Sequence, residues 1–166
     1  MSIESEVDFE ILTATPERLR TKFLISQKDK AFLELAKTIA FLTENDIDTK
    51  IQQSGFVIEI LKTIPIVNTP ARIYKDKNHI QIDIERWKPI TVPARVLIAL
   101  HEYAHNNKNK DKSNEKEADQ NALNIYLKAG FPRQEGVRGL ASIFSASKQN
   151  VERTELAYFY TLNNDF

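Results

Sequence analysis

The spacing of apolar residues changes twice along this chain, from helical to alternating and back again. Between Asp29 and Leu42, the residues Phe32, Leu33, Leu35, Ala36, Ile39, Ala40 and Leu42 recur at three- and four-residue intervals. That period predicts a helix with a broad buried face. An earlier helix start stands at Thr15-Pro16, with threonine as cap and proline at the first helical position. A further helix is expected from about Asp48 to Thr63, weakened by Gly55. The period then shortens. Ile64-Pro65-Ile66-Val67 is brief and β-branched, and the segments Arg72 to Tyr74 and His79 to Glu85 flank a Lys75-Asp76-Lys77-Asn78 turn. In the second segment Ile80, Ile82 and Ile84 alternate with Gln81, Asp83 and Glu85, the mark of a strand with one buried face. A small antiparallel sheet is the expectation.

The helical period returns after Thr91. Pro93 suits a first turn, and Val96, Leu97, Leu100 and Ala104 share one side of a helix reaching about Asn107. Asn106 to Asn114 contains no apolar residue and reads as a loop. A helix from about Asn114 to Ala129 follows, with Gly130 placed to close it in the left-handed conformation and Pro132 just beyond. Two more helices are expected, at about Gln134 to Ser147 and Val151 to Leu162. The chain thus reads as one α+β domain over residues 1–166, mostly helical. A helical part covers 1–63, a small sheet 64–90, a helix pair 93–129 and the C-terminal helices 132–166.

Composition narrows the function. The 166 residues are 42% hydrophobic and 28% charged, ordinary for a globular chain with a sizeable core. Basic and acidic side chains number 23 each, which argues against the strongly basic footprint of a nucleic-acid binder. No stretch approaches the roughly 20 apolar residues of a membrane span. The start, MSIESEVDFEI, lacks the basic and then apolar pattern of a secretory signal, so a cytoplasmic protein is expected. Abundant Lys, Asn and Ile match AT-rich genomes, phages included, and a phage origin would admit a place in the virion. Cysteine is absent, so any metal must be held by His and carboxylates.

The chemistry concentrates at His101-Glu102-Tyr103-Ala104-His105. Residues four apart share a helix face, so both imidazoles can reach one metal ion. Glu102 stands beside the metal without binding it, where a general base for a water on that metal is needed. Catalytic zinc takes three protein ligands, and only one other His exists in the chain, so the third ligand should be a carboxylate. Glu115, ten positions after His105, is favoured. Glu117 is the other choice, but it points to a different face. Asp119 lies four residues after Glu115 and can accept the remaining N–H of a ligand imidazole, fixing its tautomer. For a donor to a developing oxyanion, Tyr158, Tyr160 and Arg153 stand out, with Arg138 and His79 behind them. Zinc suits this ligand set, one ion per chain, although nickel, cobalt and iron also occupy His/carboxylate sites.

His101-Glu102-x-x-His105 followed by Glu115-Lys116-Glu117-Ala118-Asp119 resembles the zincin metallopeptidases, and among them the gluzincins, whose third ligand is a glutamate. The resemblance covers about 40 residues, Val92 to Ala129. It implies that His101, His105 and Glu115 bind zinc, that Glu102 is the base, and that Asp119 supports a ligand histidine. It also implies a zincin-like fold in which a small sheet packs on the active-site helix and its edge strand binds a peptide or protein substrate. The Ile80 to Ile84 strand fits that edge. Nine residues between His105 and Glu115 make a short gap for the family, and the Glu-x-x-Ala-Asp form is best known from membrane-embedded members.

Other readings stay open on the same residues. The site can be a structural staple in a zincin-fold binding or assembly protein, such as a phage virion component. It can also belong to a regulatory protease with a single partner substrate. Lys108, Lys110 and Lys112 read as a solvated loop beside the cleft, and Trp87, Tyr158, Phe159 and Tyr160 as core residues.

Overall fold

The structure, a computed structural model, describes residues 25–143 together with Arg153 and Glu155. Helix α1 spans Gln27–Ile39, capped by the Ser26 hydroxyl, which accepts from the Asp29 amide. A short 3-10 turn at Glu44–Asp46 leads to strands β1 (Lys50–Gln53) and β2 (Phe56–Leu61). Strands β3 (Ala71–Ile73) and β4 (His79–Asp83) follow, then one turn of helix, α2 (Ile84–Trp87). The remaining helices are α3 (Val92–Asn107), α4 (Glu115–Lys128) and α5 (Arg133–Ile143). Five helices and a four-stranded sheet make this an α+β fold among the described residues. The helices expected at Thr15-Pro16 and at Val151 to Leu162 lie outside the described residues, apart from Arg153 and Glu155, which are helical.

Four expectations for the middle of the chain are corrected. The helix expected from Asp48 to Thr63 is the β1–β2 hairpin, and the helical part of the chain therefore does not reach residue 63. Ser54 and Gly55 both take positive φ, 54° and 80°. That is the demand of a tight two-residue hairpin turn, which no helix tolerates. From there Phe56, Ile58 and Ile60 are buried in strict alternation. Ile64 to Val67 is a loop and not a strand: Ile66 sits at φ 73° and is fully exposed, while the Ile64 amide donates to Asp83.

The sheet is also mixed where an antiparallel one was expected. Its order is β1-β2-β4-β3; β2 pairs antiparallel with β1 but parallel with β4, which pairs antiparallel with β3. Consequently the Ile80 to Ile84 segment is interior and cannot be the substrate-facing edge. That edge is β3. Ile84 itself has left the strand, because Asp83 caps α2 by accepting from the Arg86 amide.

Helix α3 is the centre of the molecule, packed against α1, α4, α5 and β3. From Ala94 to His105 every residue but Arg95 is buried. Tyr103 stacks on Phe32 of α1 at 4.4 Å and meets Phe56 of β2 at 5.8 Å, so one aromatic cluster joins two helices to the sheet. Arg95 donates to the carbonyls of Ala40, Trp87 and Lys88, satisfying backbone acceptors where α1 and α2 end. On the far side Gly130 ends α4 at φ 87°, with the Phe131 amide bonded back to the Tyr126 carbonyl.

A buried polar knot fixes α3 along its axis. The Tyr103 hydroxyl donates to one oxygen of Asp29, and the Lys108 ammonium donates to the other at 2.8 Å. Asp29 is only 5% exposed, so its removal leaves the buried Tyr103 hydroxyl without its acceptor and frees the partly exposed Lys108. Asp29→Ala is expected to cost about 3 kcal/mol. A urea unfolding midpoint unchanged from wild type would show that the knot contributes nothing.

Candidate metal centre

His101 and His105 lie one turn apart on the buried stretch of α3, and Glu115 opens α4, which packs along it. Their donor atoms converge. His101 Nε2 is 3.0 Å from His105 Nε2 and 3.0 Å from Glu115 Oε2, while His105 Nε2 is 3.1 Å from Glu115 Oε1. These three residues form the group with metal-ligand spacing among the described residues.

Proton bookkeeping decides what this triangle needs. His105 Nδ1 is 2.7 Å from the Lys112 carbonyl, which can only accept, so Nδ1 carries the hydrogen. His101 Nδ1 lies 2.8 Å from Asp119 Oδ1, a close charge contact whose alignment is poor for a hydrogen bond, and it has no other polar partner among the described residues. Both Asp119 oxygens also receive the Arg153 guanidinium, at 2.8 Å each, in a bidentate pair that keeps the carboxylate ionised and accepting. Each neutral imidazole therefore turns a lone pair on Nε2 toward the other and toward Glu115. Three acceptors about 3 Å apart can be bridged by a cation, whether a proton or a metal ion.

In the chain alone that cation is a proton. Burial by itself would lower the His101 pKa, but Asp119 and Glu115, helped by the charge of Glu102, push it up to about 10. Burial likewise acts to raise the Glu115 carboxyl, yet hydrogen bonds from His101 and His105 hold it well below the usual carboxylate range. Two imidazoles and one carboxylate are also the donor set and ligand number of catalytic zinc sites with a position left for water. The residues present fit the metal.

Glu102 lies outside the triangle. It is 8% exposed and faces a cleft of about 730 Å³. Burial raises its carboxyl pKa, against the opposing pull of His101 and His105; Glu115 adds to the rise, and a hydrogen bond from the Ile73 amide offsets part of it. One wall of the cleft is β3 with the preceding loop, Val67 to Ile73. The other holds Ile98, Leu140 and Arg153 beside the ligands. The bonds from Asp83 N to Pro70 O and from Tyr74 N to His79 O fix the β3–β4 register. Pro70, Arg72 and Tyr74 thus face β4, and the main-chain groups of Ala71 and Ile73 face the cleft.

Of the oxyanion candidates, Arg153 lines the cleft, but it is spent on Asp119 and stands 3.3 Å from Glu115. Tyr158 and Tyr160 lie outside the described residues. Arg138 is exposed on α5, away from the cleft lining, and His79 packs edge-on against Tyr74 at the start of β4. Glu117, the alternative ligand, accepts two loop amides instead. Sequence reasoning missed the Lys112 carbonyl and the Ile73 amide, since main-chain groups leave no residue signature. Comparison with protein-family models, curated proteins and solved structures found no match to this chain.

Proposed function

We propose that this chain is a zinc-dependent peptidase of the gluzincin kind. The observation that carries the reading is the buried Glu102 carboxylate, in the cleft beside a convergent His101–His105–Glu115 set yet outside it. A purely structural zinc site has no use for such a group. Bound by those three residues, zinc would supply Lewis acidity and bring the pKa of a water ligand to about 7.

The chain's own residues account for the rest. The outward Ala71 amide and Ile73 carbonyl suit a short stretch of extended peptide laid along β3. The Ile73 amide aims Glu102, and burial raises its proton affinity. Glu102 takes a proton from the attacking water and returns it to the departing amine. Ile98 and Leu140 give the cleft an apolar wall that excludes bulk water. Asp119 and Lys112 hold the two imidazoles in the tautomer a metal requires. Among the described residues no helix is long and apolar enough to cross a membrane.

The test is a quenched-fluorescent peptide library incubated with the zinc-loaded chain, with and without a chelator. Cleavage that stops with chelator and returns with added zinc is expected. A chain holding one zinc and cleaving no member of the library would favour the structural-staple reading instead.

A further inference from the structure

The nine-residue run from Asn106 to Asn114 is polar throughout, so no apolar contact of its own can order it. It is held by hydrogen bonds instead: Asn106 and Asn107 end α3, Asn106 and Lys112 reach across to the Tyr74–Lys77 turn, and the Lys110–Asp111 stretch is held by Glu117. One carboxylate oxygen of Glu117 accepts the Lys110 amide at 3.0 Å and the other accepts the Asp111 amide at 2.9 Å. Asn109 donates to the carbonyls of Asp111 and Asn114, and is itself held by Asn121 of α4. Asn114 caps α4 through the Glu117 amide. This arrangement folds the loop onto the first turn of α4, and it leaves the Lys112 carbonyl 2.7 Å from His105 Nδ1.

We propose that Glu117 is a positioning residue for the metal centre: by clamping Lys110 and Asp111 it aims the Lys112 carbonyl at His105 and so fixes the ring that presents Nε2. The inference rests on the reading of His105 as a metal ligand. A backbone carbonyl cannot be chosen by residue type; only the path of the loop can bring it to the imidazole. Glu117 closes that path from α4, the helix that also supplies Glu115. The third ligand and the support for the second are therefore set by one helical turn.

A glutamate in the first turn of a helix is ordinarily explained by its favourable charge there. That explanation predicts an effect on folding and none on the metal. The experiment separates the two. Zinc affinity is measured by competition with a chromophoric chelator for wild type, Glu117→Ala and Glu117→Gln, together with the unfolding midpoint of each metal-free protein. Glu117→Ala is expected to bind zinc about 10- to 100-fold more weakly, the usual loss when a ligand's supporting partner goes. Glu117→Gln keeps one acceptor oxygen and should fall between, while the metal-free midpoints stay close together.

Equal affinity in all three proteins overturns the inference and leaves the metal centre standing. Complete loss of zinc in both variants with the fold intact would make Glu117 a direct ligand and overturn it as well. A wild type that takes up no zinc would overturn the metal reading itself, and this inference with it. Should Glu117→Ala fail to fold, Asn109→Ala opens the same loop from its other end and is held to the same affinity criterion.

Discussion

Glu102→Gln is expected to keep its zinc and lose peptide hydrolysis by roughly 10²- to 10⁴-fold, the range for removing a positioned acid–base group. Glutamine matches glutamate in shape, so the Ile73 amide still finds an acceptor and the cleft keeps its volume. What disappears is the ability to take up a proton. Because Glu102 is outside the ligand triangle, metal content should remain that of wild type. Most of the loss belongs in kcat, since the proton moves in the transition state and not in substrate binding. Undiminished kcat in a zinc-loaded variant would remove Glu102 from the chemistry.

Alanine at His105 or Glu115 is expected to weaken zinc well beyond the roughly 10- to 100-fold loss of an outer partner. Each supplies one of the three donors that converge among the described residues. Mass spectrometry of the native proteins would report about one zinc per chain for wild type and almost none for either variant. Zinc at a thousand times its Kd should stabilise wild type by roughly 4 kcal/mol. For a chain of this size that is a Tm rise of about 10 °C.

The pH dependence has a fixed sign. His101 holds a proton with a pKa pushed up to about 10 in the chain alone, and zinc must displace it. Affinity should therefore rise with pH toward 10 and fall about tenfold per unit below that for each proton displaced. A flat affinity between pH 6 and 8 would contradict the proton-held triangle.

Much of the helical framework can be read from residue spacing, for local reasons. The segments Gln27–Ile39, Val92–Asn107 and Glu115–Lys128 each combine a 3.6-residue period with a cap residue, and lie close to where the pattern puts them. The β1–β2 hairpin is hidden from residue spacing because Phe56-Val57-Ile58-Glu59-Ile60-Leu61 is apolar enough to satisfy either period. What decides it is the pair of left-handed residues at Ser54 and Gly55. Parallel pairing of β2 with β4 depends on which segments meet in space, and that leaves no local mark. The same division holds at the site. His101, Glu102 and His105 are legible because one helix carries all three. The clamp of Arg153 on Asp119 spans 34 positions and has no periodicity to betray it.

The short edge strand also bears on aggregation. Exposed sheet edges are templates on which other chains add strands and aggregate. Strand β3 offers only three residues, and two of its outward groups are already engaged: the Ala71 carbonyl accepts the Thr69 hydroxyl, and the Ile73 amide serves Glu102. At the opposite edge β1 is four residues long, with Lys50, Gln52 and Gln53 exposed. The two bonds on β3 leave a second copy of the chain little edge on which to add a strand, and so guard the sheet against fibril-like stacking.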